Sequence, residues 1–486
     1  MSSLQQRSAK MTNHRWTICS MLFLATTVNY LDRQVLSLTW ADFIAPEFHW
    51  SNSDYGTITG LFSLFYAVSM LFAGKFIDWI DTKKGFLWAI GVWSVGAVLH
   101  AFAGLVTSGV VAGVWTTSFL GAREAIGTVG DISLVVSVSV TLFIFARLVL
   151  AIGEAGNFPA AIKATAEYFP KKDRAYATSL FNSGAQIGAL LAPLTIPFIA
   201  KAWGWEMAFI VIGALGFVWM GFWVFLYDKP EKSKRVNETE LAYINQDDAI
   251  ELATTAPEIQ NAGKKVTFKQ AFKYKQTWSF AAGKFLTDGV WWFLLFWVPA
   301  YLSSVYGLDS TQSAPHVFVV YAISMISVFA AGYFPAYFMK KKKMDPYQGR
   351  MRAMLLFAFF PVVILFAQPL GEISVWLPVI LIGIAAAAHQ SWSANIFTTV
   401  SDMFPKHAVA TITGIGGMAG GIGSLIINQS SGILFDYTAN VNLKFMGFEG
   451  IESGYFIVFC ICAFAYLIGW SIMKTLVPRY QLITDM

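Results

Sequence analysis

Glu167-Tyr-Phe-Pro-Lys171 recurs as Asp402-Met-Phe-Pro-Lys406, 235 residues further along the chain. At the same spacing Thr178 meets Thr413, and Ile187-Gly-Ala-Leu190 meets Ile422-Gly-Ser-Leu425. A second pairing, Gly74 and Lys83-Lys84 with Gly332 and the lysine run ending at Lys343, has an offset near 258. The chain therefore reads as two related halves. The difference of about 23 between the offsets puts extra residues in the first half, ahead of the repeated motif. Residues 107–130 are Gly- and Ser-rich, weakly apolar and of that size. They are expected to form an outward-facing insertion, a short re-entrant or interfacial helix.

What flanks the motif identifies the solvent. Of 486 residues, 56% are hydrophobic and 13% charged, with a mean hydropathy of +0.55, whereas soluble domains carry ~25% charge. Charge this sparse cannot cover a 53.7 kDa globule, so lipid must. A water-soluble enzyme, a disordered chain and a nucleic-acid binder are excluded. Cys19, Cys460 and Cys462 all lie in apolar stretches and offer neither a disulfide framework nor a metal site.

Twelve apolar runs approach the ~20 residues that cross ~30 Å of hydrocarbon. Six lie in 16–227 and six in 277–475. The expected fold is an all-α membrane protein of twelve transmembrane helices arranged as two six-helix pseudo-repeats. Residues 228–276 read as a linker with an amphipathic helix near Glu238 to Leu252, 1–15 and 476–486 as tails. No cleavable signal peptide is expected. With the N-terminus inside, inward segments hold 27 Lys and Arg and outward segments only Arg123, Lys201 and Lys444. This positive-inside bias puts both termini and the linker in the cytoplasm, and accounts for the net charge of +5.

Charges inside the spans need their own account, because each costs at least ~2.5–3.5 kcal/mol to insert. Four are cations (Arg33, Arg147, Lys163, Lys284) and three are acids (Asp32, Glu154, Asp288). Surplus buried positive charge suits an anion carrier, since the guanidinium fork grips a carboxylate through two parallel hydrogen bonds. Asn29 and Arg33 share a helix face. Arg147 and Glu154 stand two turns apart on another, either as a static ion pair or as functional groups. Lys163 either snorkels to the interface or lines the substrate path. Lys284, Asp288, Trp291 and Trp292 form one stripe on span seven. The two charges either neutralise each other or meet substrate, and an indole can cover the C–H face of a sugar. His389, Gln390, Trp392 and Asn395 crowd span ten. Glycines from Gly414 to Gly423 permit close helix approach in span eleven.

Several stretches resemble a known family. Gly74-Lys-Phe-Ile-Asp78-Trp-Ile-Asp81-Thr-Lys83-Lys84-Gly85 is similar to the signature between spans two and three of the major facilitator superfamily. It departs at Asp81, where that family usually has glycine, and at Thr82, where a basic residue is common. Asn29-Tyr30-Leu31-Asp32-Arg33, Arg147 with Glu154-Ala-Gly-Asn-Phe-Pro159, and Phe181-Asn-Ser-Gly184 resemble the anion:cation symporter branch. Gly283-Lys284-Phe-Leu-Thr-Asp288 and His389-Gln390-Ser-Trp392-Ser-Ala-Asn395 are most like bacterial hexuronate transporters. The resemblance implies substrate binding at the arginines, proton coupling at Glu154, and a cytoplasmic gating loop at Gly74, Asp78, Lys83 and Lys84.

The reading is a secondary transporter, not an enzyme: no His-Glu-x-x-His or Ser/His/Asp set lies in the spans. It is expected to import a sugar-acid anion, a hexuronate such as glucuronate or galacturonate, by proton symport. Tyr30, Arg33, Tyr66, Arg147, Lys284, Trp292 and Asn395 bind substrate, and Asp32 and Glu154 carry the proton. An aldonate, an aldarate or another coupling ion is the alternative. No cofactor, metal or nucleic acid is expected. The partners are the anion, protons and the lipid bilayer of a bacterial inner membrane, with the protein acting as a monomer.

Overall fold

A computed structural model describes residues 11–247 and 267–483. Among them, eleven helices are long and apolar enough to cross a membrane. His14–Thr39 is long enough at 26 residues, but Asn29, Asp32, Arg33 and Gln34 dilute its hydropathy. It is span one of a twelve-span bundle. Spans two to six are Asn52–Ile80, Thr82–Ala101, Ile132–Tyr168, Lys171–Trp203 and Trp205–Leu226. Spans seven to ten are Lys275–Tyr306, Ser310–Lys342, Pro346–Gly371 and Trp376–Met403. Span eleven is Lys406–Asn440 and span twelve Ile451–Leu476.

The repeated motif makes the same corner twice. Phe169 and Phe404 leave their helices in extended conformation, as residues before proline must. Pro170 and Pro405, with ψ of 156° and 149°, then start spans five and eleven. The acid of each copy reaches back to a neighbouring helix start. Glu167 accepts from Thr82 Oγ1 at 2.6 Å, and Asp402 from Arg350 Nε at 2.6 Å. A structural role of the motif follows: it fixes how spans three and nine enter their half-bundles.

Residues 103–127 form two short helices, Ala103–Ala112 and Phe119–Gly127, rather than one. The second brings Arg123 onto Glu47 (2.9 Å) and Glu206 (3.0 Å), two carboxylates that are nearly solvent-free. Burial pushes the Glu47 carboxyl up, against the opposing hydrogen bond from Trp205 and the Arg123 charge. The linker helix starts at Glu238 as the sequence suggests, turns at Asn245 after Ile244 and is helical again at Gln246 and Asp247; residues 248–252 of that expectation lie outside the described residues, as do Lys264 and Lys265.

Spans two and eleven, and spans five and eight, pack across the two halves, with spans one and seven meeting between them. Polar links across the halves gather towards the end opposite the linker. Asn52 and Ser53 bond Asp436, Ser310 N donates to Asp42, and Tyr55 donates to Phe296 O at 2.8 Å.

Candidate substrate site

Span one places Asn29, Asp32, Arg33 and Gln34 inside the bundle, none more than 4% exposed. Span four supplies Arg147 and Glu154, each 1% exposed. It is broken at Ala155–Gly156, between the helices Ile132–Glu154 and Asn157–Tyr168. Just before the break, a Cβ on Gly153 would lie 2.2 Å from Trp93 N. Only glycine lets spans three and four press together here.

The ion pair is not the one that spacing suggests. Arg147 and Glu154 do not bond each other. Arg33 Nε and Nη2 donate to Glu154 Oε2 at 3.0 and 2.6 Å, joining residues 121 apart in sequence. Seven residues separate Arg147 and Glu154 by ~10 Å along the helix, whereas Arg33 on span one reaches Glu154 directly. Among the described residues, no nitrogen of the Arg147 guanidinium has an acceptor and neither Asp32 oxygen has a donor. Glu154, Arg147 and the Trp93 indole are close enough to act on the Asp32 charge.

Aromatic rings surround the paired arginine. The Arg33 guanidinium carbon lies 4.7 Å from the Tyr66 ring centre, 5.0 Å from Tyr30 and Trp292, and 5.9 Å from Phe62. Arg147 lies 5.0 Å from Phe62 on that ring's own account. Such cation–π contacts are worth ~0.5–2 kcal/mol each. Trp292 comes from span seven, so the cage closes across the two halves.

The span-seven stripe divides. Lys284 and Asp288 pair at 2.6 Å, with Lys284 Nζ 4.2 Å over Phe397. Asp288 rests on Gly420, where a Cβ would stand 2.3 Å from its Oδ2. Trp292 faces Arg33, ~12 Å along the helix from Lys284. Trp291 turns the other way and stacks on His389 at 5.2 Å, and His389 Nδ1 lies 2.7 Å from Tyr466 OH. The Asn395 amide donates to Ala331 O (3.0 Å) and Ser391 O (2.9 Å), tying span ten to span eight rather than joining the Arg33 cage.

Where span two turns into span three, Asp78 pairs with Lys163 at 3.1 Å and Lys83 with Asp228 at 2.9 Å. Lys163 therefore reaches the exposed end of span two at Asp78 and Ile77 rather than the Arg33 cage. Lys84 is exposed, and Gly74 has nothing within reach of a Cβ. Asp81, the departure from the family pattern, has φ of 90°, a conformation that favours glycine. Burial pushes its carboxyl up, but the Thr82 N–H and the Lys229 ammonium outweigh this and hold it below the ordinary range. Those bonds are what the side chain gains where glycine would sit without strain.

Two site residues escape a reading of the sequence. Phe62 separates the two arginines, and its only signal is its place four residues before Tyr66. Asn157 is fully buried with neither amide atom partnered, and opens the second segment of span four three residues after Glu154. Among the described residues, no group of three or more His, Cys, Asp or Glu could hold a metal ion.

Two six-helix halves with buried charges at their junction define a multi-pass membrane transporter. The chain belongs to the Major Facilitator Superfamily, whose model matches residues 22–428. It is 27% identical over 432 residues to the hexuronate transporter of Escherichia coli K12, covering 88% of this chain and 89% of that one. It is 26% identical over 337 residues to the galacturonate transporter of Dickeya chrysanthemi, covering 69% and 86%. A bacterial homologue of the human lysosomal transporter Spinster, solved inward-facing and unoccupied, has the same fold. The TM-score is 0.69 at 18% identity, over 98% of this chain and 99% of that one.

Proposed function

We propose that this protein takes up a sugar-acid anion, a hexuronate such as glucuronate or galacturonate, by symport with protons. The observation that carries the proposal is Arg147, buried to 1% exposure, whose three guanidinium nitrogens have no acceptor among the described residues. A buried cation left without a partner is costly, and a planar carboxylate supplies two acceptors in the geometry the fork requires. Tyr30, Tyr66 and Trp292 around the neighbouring Arg33 offer hydroxyls and ring faces to a sugar. The likeness to hexuronate and galacturonate transporters supports the same substrate class. Asp32 and Glu154 carry the proton, Lys284 exchanges its Asp288 partner for the substrate nearer the linker end, and Asn395 supports the wall on that side. The loop with Gly74, Asp78, Lys83 and Lys84 gates the linker end. The protein works as a monomer in a bacterial inner membrane, with both termini in the cytoplasm.

The test is uptake into proteoliposomes under an inward proton gradient. Glucuronate or galacturonate should accumulate unchanged, a neutral hexose should not, and collapsing the gradient should abolish accumulation. Accumulation of an aldonate or aldarate in preference to both hexuronates would move the assignment to another sugar acid. Accumulation that follows a sodium gradient alone would replace the proton.

A further inference from the structure

Away from the substrate site, a cleft of about 610 Å³ opens on the second half between spans eight, nine and twelve. That is within the ~300–1,000 Å³ of clefts that hold small ligands. Its walls change character along one line. Arg352, Leu355, Leu356 and Phe359 occupy successive turns on one face of span nine, so the surface passes from cationic to apolar over ~10 Å. Lys474 and Trp470 of span twelve also line the cleft, with the Trp470 Nε1–H fixed on Met351 O at 2.7 Å.

The charge at the head of the cleft is unneutralised. Arg352 is exposed and makes no hydrogen bond or ion pair among the described residues, and Lys474 Nζ donates only to Pro478 O, at 2.6 Å. No acid lines the cleft. The nearby acids are occupied, Asp345 with Gln348 N and Asp402 with Arg350. Lys340, Lys341 and Lys342 form the last turn of span eight, just after Phe338 of the cleft wall. The corresponding corner of the first half differs: there Lys83 is paired with Asp228 and Lys229 with Asp81. Repetition of the fold therefore does not explain the free cations.

We propose that this cleft is a binding site for one anionic phospholipid, its phosphate held by Arg352 and Lys474 and an acyl chain laid along Leu355, Leu356 and Phe359. The order of the wall, cation then aliphatic then aromatic, matches the order of the lipid from headgroup to tail. Basic pockets between spans at a membrane face are a known means of holding anionic headgroups, with each cation worth ~1 kcal/mol. The position lies outside the substrate cage, so the proposal stands whichever anion is carried.

Native mass spectrometry of the purified protein, after exchange into phosphatidylglycerol or phosphatidylcholine, tests the headgroup. One phosphatidylglycerol should be retained where phosphatidylcholine is lost. Arg352→Gln and Lys474→Gln should each reduce its retention about fivefold, the equivalent of ~1 kcal/mol. Equal retention of the two lipids, or no effect of either substitution, overturns the proposal. So does displacement of the lipid by inorganic phosphate alone, which would make the cleft a site for a free anion. Placement is tested with phosphatidylglycerol carrying a photoreactive acyl chain. Labelling should concentrate in the peptide containing residues 351–359, and labelling spread evenly over the lipid-facing spans overturns the assignment.

Discussion

At the scale of single residues, the two buried arginines look alike in sequence and differ in what holds them. Arg33 is bonded twice to Glu154, whereas Arg147 bonds nothing among the described residues. Removing one partner of a buried pair typically costs ~3–5 kcal/mol, while removing a buried charge without a partner is neutral or stabilising. Arg33→Met should therefore lower the thermal midpoint of the substrate-free protein, and Arg147→Met should leave it unchanged or raise it. Both should lose substrate affinity by more than about a hundredfold, the equivalent of ~2.8 kcal/mol. A thermal melt combined with a binding titration reads both quantities. A fall in midpoint for Arg147→Met would mean that its guanidinium is engaged structurally. The charges themselves were legible because an ionised side chain in an apolar run shows in one letter. Their partners were not, because the spacing of Arg147 and Glu154 on one helix suggests a pair that the neighbouring span takes over.

At the scale of elements, two helix starts are capped by carboxylates from elsewhere in the chain. The first N–H groups of a helix have no partner within it and carry partial positive charge. Glu240 of the linker helix accepts from His14 N and Arg15 N at 3.1 Å, which seats the start of span one. Asp436 of span eleven accepts from Asn52 N at 3.0 Å and Ser53 N at 2.7 Å, at the start of span two. The second cap crosses between the halves, so it exists only while they are together at that end. Hydrogen bonds to a charged group contribute ~1.5–3 kcal/mol each, so Asp436→Ala should shift the population tenfold or more towards a conformer parted at that end. Spin labels at His49 and Asn440 should report a longer distance in this variant; an unaltered distance distribution would remove Asp436 from the latch. Long-range caps of this kind have no local signature. The helices themselves did, with the Phe-Pro corners and the glycines of span eleven marking where they start and where they approach. The break after Glu154 did have a local signal in Gly156 and Pro159, obscured by the apolar residues on either side.

At the scale of the whole molecule, orientation and coupling are the questions that the twelve-span architecture raises. The bias of 27 to 3 in Lys and Arg predicts the linker inside. A cysteine introduced at Met446, which is 74% exposed in the hairpin before span twelve, should react with an impermeant thiol reagent added outside intact cells. One at exposed Lys234 in the linker should react only after permeabilisation; the reverse pattern would invert the topology. Coupling follows from the Arg33–Glu154 pair, where one carboxylate holds the guanidinium that an incoming anion would use. A proton on Glu154 removes the charge that holds Arg33 and frees it for substrate. Substrate on Arg33 in turn leaves Glu154 without its cation, which favours the proton. Each ligand thus favours the other by the same factor, as linkage requires, with no contact between them. Glu154→Gln fixes the neutral state, so Arg33 is permanently available and the proton has lost its seat. The variant should still bind substrate and exchange it in counterflow, with an affinity less sensitive to pH than the parent's, yet fail to accumulate it under a proton gradient. Paired counterflow and gradient-driven uptake in proteoliposomes measure the two properties separately. If gradient-driven accumulation persists, the proton must ride on Asp32, whose two oxygens have no donor among the described residues, and Glu154 serves only to hold Arg33 in place.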